Sequence, residues 1–200
     1  MIRVVIAEDQ MMVADAMKQL LELDGTMHVI EIATNGFAAW QSVQQHQPDI
    51  AILDIEMPEM NGLEVLHRIR EHHLETSVII LTTFKRPGYF EKAVANDVDA
   101  FLLKEQSIED LRAAIHRALS GEKTYSASLM THVFRKSNPL THREQMILIE
   151  IGKGLSHKSI ATKLFLSEGT VRNYASVMIE KLEAENRFDA WKKAKEAGWI

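Results

Sequence analysis

The sequence predicts an α/β domain with five parallel strands, followed by a small domain made only of helices. Short apolar runs alternate with helical patterns over residues 1–120, and strand signals cease after Pro139. The net charge also changes sign between the two parts of the chain. Strands that alternate with helices favour a parallel sheet covered on both faces, whereas helices in succession favour a separate helical domain.

Five apolar runs, most of them rich in β-branched residues, have the length and the boundaries of buried strands. These runs are Ile2–Ala7, Val29–Ala33, Ile50–Leu53, Ser77–Thr82 and Ala100–Lys104. A helical pattern follows each run, and the five helices are expected over residues 11–23, 37–45, 63–69, 87–96 and 108–119. This order of elements predicts a flavodoxin-like, doubly wound fold.

The second part of the chain shows four helical patterns, each with a capping residue before it. The helices are expected over residues 142–151, 158–164, 169–182 and 187–197, after the caps Thr141, Ser156, Ser167 and Asn186. Two of them are joined by a turn of two or three residues, which is typical of a helix-turn-helix. Residues 121–138 are predicted to be a linker with a short helix around Ser128–Arg135, so the predicted domains are 1–120 and 139–200.

Composition limits the class of protein and its surroundings. The hydrophobic content of 46% is ordinary for a globular protein, and the absence of cysteine excludes disulfides and thiolate metal sites. The first strand begins at Ile2, which leaves no room for a signal peptide, and no apolar run approaches the roughly 18 residues of a membrane span. We therefore expect a soluble, cytoplasmic protein with no membrane partner.

The two parts of the chain differ in charge. Residues 1–123 carry 11 basic and 20 acidic side chains, whereas residues 124–200 carry 12 and 8. An acidic first domain and a basic second domain indicate different partners. The basic domain could bind a polyanion, although its excess of positive charge is also compatible with an ordinary solvated surface.

Polar residues lie at the carboxyl ends of four of the five predicted strands. They are Glu8 and Asp9, Asp54, Thr82 and Lys104. Since the carboxyl ends of parallel strands meet at one edge of the sheet, we expect these side chains to lie together. Each of them alone is more simply a turn, a helix cap or a strand end, and only their joint placement is specific.

Chemistry at such an edge would centre on Asp54. Crowded carboxylates resist ionisation, and a bound Mg²⁺ relieves their repulsion. Asp54 could then act as a nucleophile on a phosphoryl group and form an aspartyl phosphate. Lys104 would neutralise the phosphoryl oxygens, and the Thr82 hydroxyl could donate to one of them.

The segments Val4–Asp9, Leu53–Pro58 with Gly62, Ile80–Thr82 and Phe101–Lys104 resemble the receiver domain of bacterial response regulators, over residues 1–120. The resemblance implies that a sensor histidine kinase phosphorylates Asp54. It implies Mg²⁺ held by Asp9, Asp54 and the main-chain oxygen of Glu56, with Glu8 acting through water. The implied switch and phosphate contacts are Thr82, Thr83, Phe101 and Lys104. Glu105 departs from the Asp or Pro that is common in the family.

The helix predicted over residues 169–182 has one apolar stripe and one polar side. Arg can read guanine and Asn adenine in the major groove, while Thr and Ser can contact phosphates or bases. The alternative is the solvated face of a packed helix, and Glu168 and Glu180 count slightly against a surface that faces phosphates.

The segments Leu140–Glu144, Ile160-Ala161 and Leu166–Val171, with the closing helix, resemble the LuxR-type effector domain. Together with the receiver they resemble the NarL/FixJ family, and Leu81–Phe90 is similar to its desaturase-controlling branch. The resemblance implies binding of double-stranded DNA by the helix over residues 169–182. The expected DNA contacts are Lys158, Thr170, Arg172, Asn173, Ser176 and Lys181. Many members differ at positions 173 and 176, so the DNA sequence that is read stays open.

The sequence thus predicts a DNA-binding regulator, not an enzyme, whose phosphorylation promotes formation of a homodimer. Family members dimerise through helices one and five, or through helix four, strand five and helix five. Five apolar residues could be exposed contacts of this kind or core residues; they are Met11, Met12, Met17, Leu111 and Ile115.

Two rival functions are weighed against this prediction. Asp54-Ile-Glu56 distantly resembles the D-x-D motif of haloacid-dehalogenase-type phosphatases, but those enzymes carry it on their first strand. The other rival is a DNA-binding protein that works without phosphorylation and has a vestigial receiver.

Overall fold

The structure is a computed structural model that describes residues 1–83, 86–126 and 138–200. The chain divides into two compact units, Met1–Lys85 with Phe90–Thr131 and Arg86–Tyr89 with His132–Ile200. The short helix expected around Ser128–Arg135 lies outside the described residues. In the described ranges, no helix combines the length and the apolar character that crossing a membrane requires.

The first unit is built on a parallel sheet with the strand order β2-β1-β3-β4-β5-β6. The strands are β1 Ile2–Ala7, β2 Met27–Ala33, β3 Ile50–Leu53, β4 Ser77–Thr82, β5 Ala100–Leu103 and β6 Thr124–Tyr125. The helices are α1 Met11–Glu22, α2 Gly36–His46, α3 Gly62–Glu71, α4 Pro87–Ala95 and α5 Ile108–Leu119. The predicted doubly wound α/β fold is therefore confirmed, with one strand more than expected.

The additional strand β6 corrects the five-strand prediction. It pairs in parallel with β5, with Ala100 opposite Thr124 and Phe101 opposite Tyr125. Two residues cannot produce an apolar run, so the sequence pattern predicts a linker over this segment. It is a strand because the Thr124 N–H donates to Asp99 O and the Ser126 N–H donates to Phe101 O, each at 3.0 Å.

The core of the first unit explains why its strands are apolar throughout. The residues of β3 and β5 are all buried, because helices cover both faces of the sheet. The structure also shows which of the five apolar residues, predicted to be either exposed contacts or core, are buried. Met17, Leu111 and Ile115 are buried, whereas Met11 and Met12 are 50% and 86% exposed.

The second unit consists of helices in its described residues. They are α6 His142–Gly152, α7 His157–Leu164, α8 Glu168–Lys181 and α9 Arg187–Glu196. The core is formed by apolar residues at helical spacing, among them Ile147, Ile151, Ile160, Val171 and Met178. The turn between α7 and α8 is tight, since Phe165 takes a left-handed conformation and the Leu166 N–H donates to Ala161 O at 2.8 Å.

Glu144 ties the start of α6 to the end of α8. Its carboxylate accepts hydrogen bonds from the Thr141 N–H (2.7 Å) and from Lys181 Nζ (2.8 Å). Burial alone would raise the pKa of Glu144, but the bonds to Lys181 and Thr141 outweigh burial and lower that pKa. The charged form is therefore favoured in the folded protein. Its stabilising effect is present above the ordinary carboxyl pKa and is lost as the pH falls through the lowered value.

The substitution Glu144→Gln is expected to destabilise the second unit by about 1–3 kcal/mol at neutral pH, because the buried side chain at position 144 loses the negative charge that Lys181 binds. The difference from wild type should shrink as the solution is acidified. Amide hydrogen exchange in α6 of the full chain measures both effects. Glu196→Gln is the control, since Glu196 pairs only loosely with Lys192 at 3.9 Å; a similar loss in both variants would contradict the assignment.

Candidate functional site

Asp54 follows β3 and lies at the carboxyl edge of the sheet. Its N–H donates to Ala7 O (2.9 Å), which continues the pairing of β3 with β1. The side chain is nearly buried, and its Oδ1 atom accepts the N–H of Ile55 at 2.7 Å. One carboxylate oxygen is thus held by the backbone, while Oδ2 faces the neighbouring strands.

Glu8 and Asp9 leave the neighbouring strand β1 at the same edge. The Glu8 N–H donates to Ala33 O at 2.9 Å, and its side chain is only 1% exposed, whereas Asp9 is exposed. Carboxylate oxygens of Glu8, Asp9 and Asp54 all lie within 4.8 Å of one another. Three clustered carboxylates form a donor set of the hard-oxygen type that Mg²⁺ prefers. The residues present therefore fit a magnesium ion.

Lys104 completes the cluster from the end of β5. Its N–H donates to Thr82 O at 2.9 Å, which places the residue just beyond the strand. Its ammonium lies 2.9 Å from Asp54 Oδ2 and 2.5 Å from Glu8 Oε2. Lys104 therefore neutralises part of the negative charge that the carboxylates bring together.

The ionisation of the cluster reflects both burial and these contacts. Burial raises the pKa of Glu8, and the hydrogen bond and charge of Lys104 oppose that rise only in part. Burial alone would lower the pKa of Lys104, but the hydrogen bonds and charges of Glu8 and Asp54 outweigh it and raise that pKa. Lys104 consequently stays a cation beside Asp54 at neutral pH.

The remaining predicted residues of this edge are divided between the core and the surface. Thr82 ends β4 and is wholly buried, as is Phe101 in β5. Thr83, which follows Thr82, is exposed, and so is Glu56, which lies two residues beyond Asp54. The structure thus clusters Glu8, Asp9 and Asp54 and brings Lys104 into contact with Glu8 and Asp54. It places Thr82 and Phe101 on the two strands that follow β3 in the sheet.

Two aromatic contacts beside the site, both made by Phe90, were not predicted from the sequence. Phe90 in α4 packs against Phe101 with ring centroids 5.5 Å apart, and it also packs against Tyr125 at 5.2 Å. Tyr125 lies in no motif, Phe90 only ends the segment Leu81–Phe90, and neither contact is local in the sequence. A signal for Tyr125 would have required recognising the two-residue strand β6.

Gly62 shapes the loop that follows Asp54. Its N–H donates to Ile55 O at 3.0 Å, and a Cβ atom at this position would lie only 2.0 Å from the main-chain oxygen of Asp54. The backbone would have to move to accept any side chain here. The start of α3 can therefore approach the site only because residue 62 has no side chain.

The substitution Gly62→Ala is expected to destabilise the first unit by about 1–3 kcal/mol or more, and to slow phosphoryl transfer to Asp54 because the loop must shift. Thermal unfolding and labelling by a phosphodonor measure the two effects. Gly121→Ala is the control, because a Cβ at this position meets nothing within 4 Å although its φ of 79° brings some strain. Equal losses in both variants would contradict a specific role for Gly62.

Helix α8 presents one buried and one exposed side. Val171, Ala175 and Met178 are buried in the core of the second unit. Arg172, Asn173 and Ser176 are exposed, and the Arg172 guanidinium pairs with Glu168 at 2.9 Å. Three predicted DNA-contacting residues therefore lie on accessible parts of one helix.

The other predicted DNA-contacting residues differ in their surroundings. Lys158 is exposed in the first turn of α7, and Thr170 is half-buried, with its hydroxyl oxygen 2.7 Å from Ser167 Oγ. The Lys181 ammonium binds the Glu144 carboxylate at 2.8 Å, so it is engaged within the protein. The DNA contact of Lys181 stays a prediction, and in this structure its charge has an internal role.

Comparison with known protein families identifies both parts of the chain. Residues 4–116 match the response regulator receiver domain, and residues 138–194 match the bacterial regulatory proteins of the luxR family. A receiver joined to a LuxR-type helix-turn-helix defines a class of DNA-binding transcriptional regulators. The chain belongs to the NarL/FixJ-type response regulators of two-component systems.

Individual relatives agree with this family. The transcriptional regulatory protein YvfU of Bacillus subtilis is 46% identical, and DesR of the same organism is 42% identical, each over the whole length of both chains. The crystal structure of a LuxR-family DNA-binding response regulator from Staphylococcus aureus is 52% identical, with a TM-score of 0.58. That match covers 60% of this chain and 99% of the solved one. The similarity to DesR agrees with the resemblance of Leu81–Phe90 to the desaturase-controlling branch of the family.

Proposed function

We propose that Asp54 accepts a phosphoryl group from a sensor histidine kinase, and that the resulting aspartyl phosphate promotes dimerisation and control of transcription. One observation carries this proposal: the Lys104 ammonium lies 2.9 Å from Asp54 Oδ2, in a cluster with Glu8 and Asp9. A nucleophile, a cation and acidic ligands meet at one edge of the sheet. This arrangement suits phosphoryl transfer, which depends on positioning and neutralisation of charge.

In the proposed reaction, a carboxylate oxygen of Asp54 attacks the phosphorus atom of a phosphohistidine. The new P–O bond forms as the P–N bond breaks, and the electron pair stays on the imidazole nitrogen, which takes up a proton. Lys104 is close enough to Asp54 to neutralise charge on the phosphoryl oxygens. The backbone N–H of Ile55 holds the Oδ1 atom and so orients the nucleophile.

The acidic residues would hold Mg²⁺ when it is bound. Asp9, Asp54 and the main-chain oxygen of Glu56 are the proposed ligands, with Glu8 acting through water. The ion would supply positive charge at the phosphoryl oxygens. The clustering of three carboxylates supports this assignment.

The proposed response to phosphorylation runs through Thr82, Thr83, Phe101 and Lys104. Thr82 and Thr83 would contact the phosphoryl oxygens, and Phe101 would change its rotamer as Thr82 moves. A dimer would then form on a surface of the receiver. Helices α1 and α5 offer one such surface, because Met12 is exposed beside a largely apolar groove of about 380 Å³.

For DNA binding, we propose that α8 enters the major groove of double-stranded DNA. Arg172, Asn173 and Ser176 would contact bases or phosphates, with Thr170, Lys158 and Lys181 at the margins. The exposure of the first three residues supports the assignment. A protein with this role would act in the cytoplasm, as a regulator and not as an enzyme.

Phosphorylation with acetyl phosphate tests the proposal. In the presence of Mg²⁺, the wild-type protein should show a retarded band on a Phos-tag gel, and chelation of the metal with EDTA should abolish the band. Incubation with p-nitrophenyl phosphate should release no nitrophenol beyond the background. No retarded band with Mg²⁺ would refute the phosphoacceptor role, and sustained release of nitrophenol would favour a phosphatase.

A further inference from the structure

Phe101 belongs to a cluster of three aromatic rings that come from three different elements. The ring of Phe90 in α4 packs against the ring of Phe101 with a centroid distance of 5.5 Å and an interplanar angle of 70°. The same Phe90 ring contacts Tyr125 in β6 at 5.2 Å and 87°. Both are edge-to-face arrangements, which aromatic pairs prefer. Phe101 therefore contacts α4 through Phe90, and the same Phe90 ring connects it to Tyr125 in β6.

The backbone adds a direct connection between Phe101 and β6. Phe101 and Tyr125 are opposite each other in the parallel register, and the Ser126 N–H donates to Phe101 O at 3.0 Å. The side chain of Ser126 is buried. Residue 101 is thus bonded to the segment 124–126, which precedes the DNA-binding domain in the sequence.

The two ends of β6 are held in different ways. At the start, Lys123 Nζ binds Asp97 Oδ1 at 2.7 Å and Val98 O at 2.9 Å. At the end, the strand is held by the Ser126 hydrogen bond and by the packing of Tyr125. A strand of two residues makes few backbone hydrogen bonds, so side-chain packing is expected to contribute much of its local stability. The end beside Phe101 depends on the packing of Tyr125, whereas the start is held by Lys123.

We infer that Tyr125, together with Phe90, is a positioning residue that links the rotamer of Phe101 to the pairing of β6 with β5. A rotation of the Phe101 ring removes the surface on which Phe90 rests, and Phe90 is the ring that supports Tyr125. The state of the phosphorylation site then alters how firmly residues 124–126 are held, and with them the start of the connection to the DNA-binding domain. The inference rests on the proposed phosphorylation of Asp54 and on Phe101 as the residue that responds to it.

Hydrogen–deuterium exchange of the full chain tests this inference without knowledge of the operator. Wild-type protein, Tyr125→Leu and Thr124→Val are compared with and without acetyl phosphate and Mg²⁺. Thr124→Val is a matched control, because the Thr124 hydroxyl is buried without a hydrogen-bond partner among the described residues and its side chain points to the other face of the sheet. Phos-tag gels record the phosphorylation of Asp54 in each sample, and thermal unfolding records the stability of the fold.

In wild type and in Thr124→Val, phosphorylation should change the exchange rate at residues 124–126 by at least about fivefold, the lower end of typical couplings between sites. In Tyr125→Leu, exchange there should be fast in both states, while phosphorylation of Asp54 and exchange in β1 and β3 stay as in wild type. A wild-type protein that is phosphorylated without any change at residues 124–126 overturns the inference alone. So does a Tyr125→Leu protein that keeps the wild-type change. A wild-type protein that takes up no phosphate overturns the proposed function and the inference with it.

Discussion

Asp54→Asn is expected to abolish phosphorylation of the protein by acetyl phosphate and, with it, any increase in the dimer fraction. The amide cannot act as the nucleophile, whereas the Asp54 carboxylate follows β3 and lies 2.9 Å from the Lys104 ammonium. The substitution keeps the size of the side chain, so the Ile55 N–H keeps an acceptor at Oδ1. Phos-tag electrophoresis measures the first effect, and analytical ultracentrifugation measures the second.

The control for this experiment is Glu71→Gln, which removes one exposed carboxylate at the end of α3. This variant should be phosphorylated and should dimerise like the wild type. If Asp54→Asn still gained a phosphoryl group, another residue would be the acceptor. If it took up none and yet dimerised as fully as the treated wild type, the link between phosphorylation and assembly would be wrong.

Arg172→Ala is expected to weaken the binding of DNA by about 5- to 150-fold, which corresponds to the loss of about 1–3 kcal/mol for one base-reading arginine. The Arg172 side chain is 65% exposed, and its pairing with Glu168 is a surface interaction. Such pairs contribute little to stability, so the fold should not change. Fluorescence anisotropy measures the affinity of the phosphorylated protein for a duplex selected from a random-sequence pool by the wild type.

Lys192→Ala provides a matched control for this loss. Lys192 lies on α9, its side chain is 68% exposed, and it pairs with Glu196 four residues along the same helix. Both substitutions remove one positive charge from one exposed i,i+4 pair. If the two variants lost affinity equally, net charge would explain the effect and Arg172 would have no particular contact with DNA. If Arg172→Ala lost less affinity for DNA of unrelated sequence than for the selected duplex, the result would support a contact between Arg172 and the bases.

Local patterns were sufficient to predict most of the elements. The runs Ile2–Ala7 and Ser77–Thr82 and the capping box at Thr141 were predicted at the positions where the structure has them. These features depend on residues that are near each other in the sequence. The strand β6 was missed because its hydrogen bonds to Asp99 and Phe101 come from a different part of the chain.

The residues of the candidate site were also predicted from local patterns, but the contacts between these residues were not. Placing Asp54 and Lys104 at one edge required only that both follow parallel strands. The distance of 2.9 Å between them depends on how the strands pair in the sheet, and so does the second contact of Lys104, with Glu8. Similarly, the exposed side of α8 followed from its apolar stripe, but the engagement of Lys181 by Glu144 could not be anticipated.

The sequence by itself determined the succession of the first five strands and of the helices along the chain, the acidic and basic residues at the strand ends, and the resemblance to a receiver and a LuxR-type domain. The tertiary structure alone decided which of these side chains meet. It placed Lys104 against two carboxylates, buried Met17 and Leu111 while leaving Met12 exposed, and brought Phe90 and Tyr125 to Phe101. The physical reason is that such contacts join residues far apart in the chain, and their geometry is set by the packing of the whole unit.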